Sequence, residues 1–101
     1  MININVNTQL CAVIGHPVRH SLSPVIHNAG FQSLGLNFVY LAFDITDVES
    51  CLRGMRSMDG FRGMSVTIPH KEAVIPFLDE IEPIAKQIGS VNTILHEGDK
   101  L

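Results

Sequence analysis

The sequence has no long hydrophobic run, no tryptophan and only two cysteines among its 101 residues. A membrane-spanning helix needs about 20 consecutive apolar residues, but the first apolar run already stops at Gly15 and His16, so no span is predicted. Cys11 and Cys51 are too few for a disulfide framework and form no C-x-x-C pair, which favours reduced thiols in a cytoplasmic protein. Residues 1–9 are polar and rich in asparagine, so no secretory signal is predicted.

Glycine spacing and net charge exclude further classes of protein. No two of the eight glycines are spaced as G-x-G, so the fingerprint of a dinucleotide-binding loop is absent. The net charge of −3 gives no basic surface for nucleic acid or for anionic membranes. The histidines are His16, His20, His27, His70 and His96. Their spacing matches neither H-E-x-x-H nor a zinc pattern, so no metal site is predicted.

Apolar residues alternate between strand-like and helix-like spacing along the chain. Apolar or alternating runs predict strands at residues 10–14, 38–45, 64–68 and 91–95. Helical patterns and stop signals between them give the order β-α-β-α-β-α-α-β, with a short helix after Pro69 that Pro76 interrupts. This order predicts an α/β domain, a three-layer α-β-α arrangement with a mostly parallel sheet.

Local signals predict the ends and the buried face of the first two helices. Ser23 followed by Pro24 is typical of an N-cap and a first helical position, and Gly35 is typical of a helix end. Thr46 with Glu49 three residues later predicts a capping box for the second helix. The apolar face predicted for the first helix comprises Ile26, Ala29, Gly30 and Leu34.

The first candidate site is the loop 15–24, between a predicted strand and a predicted helix. Open α/β sheets bind ligands at this edge, and a helix N-terminus attracts anions. Ser21 and Ser23 add hydroxyls that can donate to a carboxylate or a phosphate. The alternative is that Ser23 is only a cap and Ser21 only a loop residue. No G-K-[ST] follows, so the loop is not a P-loop.

The second candidate site is the segment 65–71. Strand alternation places Ser65 and Thr67 on one face, and Lys71 follows the strand at or near a predicted helix N-terminus. The helix dipole there disfavours the charged form of a lysine, which suits proton transfer. The alternative is an exposed lysine whose stem lies along the surface.

The third candidate site is the segment 89–93. Asn92 is a polar residue inside a predicted apolar strand, so its side chain needs hydrogen-bond partners from the backbone or from a ligand. Residues 97–99 then predict a hairpin turn whose second arm is missing, which suggests that the chain is a truncated piece of a longer protein.

Three segments of the sequence resemble the signature of the shikimate dehydrogenase family. The first runs from Gly15 to Pro24 and continues in His27-Asn28, and the other two are the segments 65–71 and 89–93. They occur in the family's order and at plausible separations, so the resemblance extends over nearly the whole chain from Leu10 to Leu101.

The resemblance implies an activity and a role for each residue. The family reduces 3-dehydroshikimate to shikimate with NADPH, in the pathway to chorismate and the aromatic amino acids. Its N-terminal α/β domain binds the substrate, and a separate C-terminal Rossmann domain binds NADP. The resemblance implies that Ser21 and Ser23 hold the substrate carboxylate, and that Thr67, Asn92 and Lys71 bind ring hydroxyls. Lys71 is also implied to be the catalytic residue.

The sequence departs from the family pattern in two respects. Ser65 stands where many members have asparagine, a longer side chain, so as a substrate-binding residue Ser65 would reach the ligand differently, through water. The catalytic aspartate of the family's N-T-D block and the cofactor domain do not occur in the 101 residues. The resemblance therefore implies that residues 1–101 are the substrate-binding domain, that the NADP-binding domain is absent, and that this chain alone has no turnover.

Two alternative functions and the oligomeric state stay open at the level of the sequence. The parent enzyme could be a quinate or quinate/shikimate dehydrogenase, which could use NAD. The chain could also be a stand-alone, non-catalytic module that binds a small hydroxy acid. A homodimer could form where the exposed sheet edge pairs between copies.

Overall fold

A computed structural model describes residues 3–98, 100 and 101 of the chain. In order, its elements are β1 (Gln9–Gly15), α1 (Ser23–Leu34), β2 (Phe38–Asp44), α2 (Val48–Arg56), β3 (Phe61–Val66), a 3-10 helix (Ile75–Phe77), α3 (Pro83–Ile88) and β4 (Thr93–Leu95). None of the helices in this part of the chain is long and apolar enough to cross a membrane.

The strands form one mixed sheet in the order β2-β1-β3-β4. β1 is parallel to both β2 and β3, whereas β4 is antiparallel to β3. The α/β class is confirmed, and the strands lie close to their predicted positions. The helix predicted after Pro69 is instead a series of turns leading to the 3-10 helix, because Pro76 lies within this stretch.

The hydrophobic core lies on one face of the sheet, beneath α2 and α3. β1 contributes Ala12 and Ile14 to this face, and α2 contributes Val48 and Leu52. The strands β3 and β4, the segment before α3 and the chain end supply the remaining buried members, which are Phe61, Met64, Val66, Val74, Val91, Ile94 and Leu101. These contacts hold the carboxyl ends of β1 and β3 in fixed positions.

The opposite face of the sheet is covered only in part, by α1. The ring of His27 stacks on Tyr40, and Phe31 packs edge-on against Phe38. Asn28 bonds the backbone of Tyr40 through both ends of its amide: Nδ2 donates to the carbonyl at 2.9 Å, and Oδ1 accepts from the N–H at 2.8 Å. These contacts place α1 on β2 and leave this face of β3 open, so the complete three-layer arrangement stays a prediction.

The predicted buried face of α1 is wrong. Ile26 and Leu34 are 64% and 73% exposed, and no residue of α1 is fully buried. The helix instead turns His27, Asn28 and Phe31 towards β2, because ring stacking and bonding of an edge-strand backbone outweigh the apolar pattern.

The two predicted caps are also wrong, whereas the predicted helix end is confirmed. Leu22 is the N-cap of α1 and makes no side-chain cap bond. Asp47 caps α2, since its carboxylate accepts hydrogen bonds from the N–H and the hydroxyl of Ser50. Thr46 therefore lies outside the cap. Gly35 ends α1 with a left-handed φ of 67°, as its lack of a Cβ allows.

The third strand lies earlier in the chain than predicted, from Phe61 to Val66, and the fourth strand is shorter than predicted. β3 ends at Val66, and Ile68 is 73% exposed. β4 begins only at Thr93. At the predicted turn, the backbones of Glu97 and Lys100 bond each other. Asp99, which belongs to that prediction, lies outside the described residues.

Candidate functional site

The first two candidate segments meet at the carboxyl ends of β1 and β3. The N–H of Thr67 donates to the carbonyl of Ile14 at 2.9 Å, and the N–H of His16 donates to the carbonyl of Ile68 at 3.0 Å. The loop after β1 and the segment after β3 are thereby joined. This is the edge at which open α/β sheets bind ligands.

The third segment is bonded to the second. The N–H of Val66 donates to the carbonyl of Asn92 at 2.7 Å, and the N–H of Val91 donates to the carbonyl of Lys71 at 2.9 Å. Asn92 itself is exposed and precedes β4. The expectation of a polar side chain inside an apolar strand is therefore wrong, because the strand starts one residue later; the side chain is free to reach a ligand.

Close packing between Gly15 and Thr67 brings the first two segments together. A Cβ at Gly15 would overlap Cγ2 of Thr67 and would lie 2.8 Å from Cγ1 of Val18. Only a glycine permits this approach. The half-buried Thr67 side chain therefore lies directly against the loop that leads to the two serines.

Ser21 and Ser23 lie at the start of α1, and both are half-buried. Ser21 is held by a bond from its N–H to the carbonyl of Val18 at 3.0 Å, and its Oγ accepts from the N–H of Ser23 at 3.2 Å. Ser23 is not the N-cap, so its hydroxyl is not used in capping. Accepting one bond leaves the Ser21 hydroxyl proton available to a ligand oxygen.

Lys71 is half-buried and lies in a turn, four residues before the 3-10 helix begins at Ile75. Its predicted place at a helix N-terminus is therefore wrong, since the backbone after Pro69 forms turns. Within the described part of the chain, no carboxylate lies in salt-bridge contact with Lys71. Its ammonium group is thus left for a ligand.

Two side chains that were not predicted as site residues help to build the site. His70 is buried, and its Nε2 bonds the carbonyl of Ile45 at 2.6 Å, which anchors the backbone beside Lys71. Tyr40 is buried, and its phenol donates to Oγ of Ser65 at 3.1 Å. The one signal in the sequence is that a tyrosine in an apolar strand needs a partner for its hydroxyl.

The thiols do not add a nucleophile to this site. Burial raises the pKa of Cys11, and burial likewise raises that of Cys51. Both side chains therefore stay protonated at neutral pH, where a thiol is a poor nucleophile.

A groove of about 740 Å³ lies elsewhere, between α3 and β4. It is lined by Ile84, Ile88 and Leu95 among others, and it reaches the third segment at Asn92, but its lining does not include Ser21, Ser23 or Lys71. The hydroxyl and ammonium groups that suit a polar anion lie instead at the edge of the sheet described above.

The sequence of the chain matches a known family. Residues 13–94 match the family described as the shikimate dehydrogenase substrate binding domain. The chain belongs to that family. It is 54% identical over 99 residues to the NADP(+) shikimate dehydrogenase of Moorella thermoacetica, covering 96% of this chain and 33% of the relative. The corresponding enzyme of Methanopyrus kandleri is 47% identical, covering 99% of this chain and 35% of the relative.

Solved shikimate dehydrogenases share the fold. Shikimate 5-dehydrogenase from Listeria monocytogenes, in complex with shikimate and NAD, is 39% identical with a TM-score of 0.91, covering 96% of this chain and 34% of that chain. The enzyme from Thermus thermophilus, in complex with NADP(H) and shikimate, is 41% identical with a TM-score of 0.86, covering 92% and 36%. The present chain spans about a third of the length of the relatives it matches.

Proposed function

We propose that this chain is the substrate-binding domain of an NADP-dependent shikimate dehydrogenase and that it binds shikimate and 3-dehydroshikimate. The observation that carries the proposal is the convergence of three separate segments at one edge of the sheet, through the bonds Thr67 to Ile14 and Val91 to Lys71. The family and the ligands named for solved relatives support it.

The proposed binding mode divides the ligand between two groups of residues. Ser21 and Ser23, at the start of α1, donate hydroxyl hydrogen bonds to the carboxylate, and the positive end of the helix favours the anion. Thr67 and Asn92 bind the ring hydroxyls. This polar edge of the sheet supplies neutral donors for the anion, so binding does not depend on the net charge.

Lys71 is the proposed catalytic residue. Its ammonium group donates to the reacting oxygen and transfers a proton to it when the ketone is reduced to the alcohol, and it takes the proton back in the reverse direction. NADPH, when held by the cofactor domain of the parent enzyme, would supply the hydride. The backbone bond to Val91 and the anchoring of the neighbouring His70 hold the lysine in place.

The residues of this chain do not fit NADP. The loop after β1 has Gly15 packed against Thr67 and proline at the start of α1, and its sequence contains no G-x-G to cradle a pyrophosphate. We therefore assign NADP to a C-terminal Rossmann domain of the parent enzyme, and we expect no turnover from residues 1–101 alone. Shikimate oxidation with NADP by the purified chain would contradict this.

Titration of the chain with shikimate, followed by calorimetry or NMR, tests the binding mode. Ser21→Ala and Lys71→Ala are each expected to raise the Kd by about tenfold or more, because each removes a hydrogen bond that involves a charged group. Ser33→Ala and Lys86→Ala, on the outer side of α1 and on α3, are matched controls expected to leave the Kd unchanged. Unchanged affinity in both site variants, with the amide spectrum intact, would overturn the proposal.

Two expectations from the sequence remain proposals. A homodimer is tested by sedimentation of the chain, which would show a second, concentration-dependent species. A cytoplasmic location stays a prediction from the two unpaired thiols.

A further inference from the structure

We propose that Tyr40 is a positioning residue for substrate: its buried phenol fixes the Ser65 hydroxyl so that this hydroxyl donates to a ring hydroxyl of shikimate. The proposal rests on the function proposed above. It assigns a role to Tyr40, and through it to the neighbouring His27 and Asn28, which the motifs contain but the binding mode does not use.

The position of Tyr40 in the sheet is the first support. Tyr40 is paired with Cys11, and Ser65 is paired with Val13, on the two strands that flank β1. The phenol therefore lies across β1 to reach Ser65, and it is only 4% exposed. A phenol buried this deeply needs a hydrogen-bond partner, and Ser65 Oγ is that partner at 3.1 Å.

The direction of this hydrogen bond is the second support. A serine hydroxyl has one donor proton and two acceptor lone pairs. The phenol of Tyr40 is the more acidic hydroxyl and is buried with no other acceptor among the described residues, so it is the donor of this bond. The Ser65 oxygen then accepts, and its own proton has no acceptor within these residues. α1 leaves this face of β3 open, and Thr67 of the proposed site lies two residues further along on the same face. The free proton is therefore available to a ligand at this site.

The third support is that Tyr40 is itself held on two sides. The His27 ring stacks on the Tyr40 ring with centroids 4.4 Å apart and an interplanar angle of 11°. Asn28 bonds the Tyr40 backbone at both its N–H and its carbonyl. A side chain immobilised in this way can fix the rotamer of the serine that it contacts, at little entropic cost when the ligand binds.

Binding of two probe ligands tests the proposal. The probes are shikimate and cyclohexenecarboxylate, which carries the carboxylate but no ring hydroxyl. Tyr40→Phe and Ser65→Ala are each expected to raise the Kd of shikimate by about three- to tenfold. The double variant should be no weaker than Ser65→Ala, and the Kd of cyclohexenecarboxylate should stay unchanged in all of them. Ser33→Ala is the matched control for serine removal.

Three results would overturn the proposal while leaving the function intact. They are an unchanged shikimate Kd in Tyr40→Phe, additive losses in the double variant, and an equal loss for both probes, which would mean a structural role only. If the unmodified chain does not bind shikimate, the proposed function fails instead.

A measurement without ligand tests the positioning role of Tyr40 separately from the proposed function. Three-bond Hα–Hβ couplings of Ser65 are expected to report one rotamer in the unmodified chain and averaged rotamers in Tyr40→Phe. Ser65 couplings that do not change on removal of the phenol oxygen would overturn the positioning role, whatever the chain binds.

Discussion

At the scale of single residues, contact distances decide which positions tolerate change. Gly15 and Gly30 are both glycines in or beside regular elements, yet their surroundings differ. A Cβ at Gly15 would meet Thr67, Val18 and the carbonyl of Ile68 within 3.1 Å, whereas nothing lies within 4 Å of a Cβ at Gly30. Gly15 thus sets the separation of two segments of the proposed site.

Gly15→Ala is expected to lower the free energy of unfolding by about 1–3 kcal/mol, since the added methyl group overpacks the contact with Thr67. It should also weaken shikimate binding, because Thr67 must move. Urea unfolding and the ligand titration measure the two effects. The matched control Gly30→Ala should stabilise the chain by about 0.5–1 kcal/mol, because alanine favours an exposed helix. Equal stabilities of the two variants would contradict the packing explanation.

At the scale of elements, a helix start depends on which side chain reaches a free N–H. Thr46 and Asp47 are adjacent and both belong to the residue types that cap helices. In the structure Asp47 accepts from the N–H of Ser50 at 3.1 Å and from its hydroxyl at 2.7 Å. Sequence spacing alone favours Thr46 because of Glu49, but Glu49 pairs with Arg53 instead.

Asp47→Ala is expected to lower the midpoint of thermal unfolding at neutral pH, and Thr46→Ala should leave it nearly unchanged. The bonds from Ser50 lower the pKa of Asp47 below its ordinary value. The stabilisation is therefore present above the ordinary aspartate pKa and is lost as the pH falls through the lowered one. The difference between Asp47→Ala and the unmodified chain should shrink in acid. A larger fall of the unfolding midpoint in Thr46→Ala than in Asp47→Ala would contradict this and would support the predicted capping box.

At the scale of the whole molecule, the end of the described chain is tied back to the segment before α3. Asp79 accepts from the N–H of Leu101 at 2.9 Å and from Nη2 of Arg56 at 3.0 Å. The same arginine nitrogen donates to the carbonyl of Phe77 at 2.9 Å. Leu101 is buried in the core, so this carboxylate links α2, the 3-10 helix and the last residue.

Asp79→Asn is expected to destabilise the chain at neutral pH. In acid the variant and the unmodified chain are expected to have the same stability. The N–H of Leu101, followed by Arg56, holds the pKa of Asp79 below its ordinary value. A lowered pKa contributes stability above the ordinary value, and that stability is lost as the pH falls through the lowered one. Urea unfolding at neutral and acidic pH measures this. Asp59→Asn, an exposed aspartate outside the described ion pairs, is the control. A deficit that does not vary with pH would refute the charge effect.

Much of the fold was readable because its signals are local. The apolar runs around Leu10–Ile14 and Phe38–Ile45 predicted β1 and β2, and Gly35 ends α1 as predicted. Strand and helix periodicity depend on neighbouring residues alone.

The errors arise where competing partners are distant in sequence. α1 turns His27 and Asn28, and not Ile26, towards the sheet, because their partner is Tyr40 on another element. Lys71 lies in a turn because proline breaks the predicted helix.

The sequence by itself determined the α/β class, the positions of β1 and β2, and the three segments that carry the family resemblance. Only the tertiary structure decided that these segments touch, that Gly15 packs on Thr67, and that Tyr40 reaches Ser65 across a strand. The physical reason is that hydrogen bonds and packing between distant residues depend on strand order and register. Local propensity does not encode either of them.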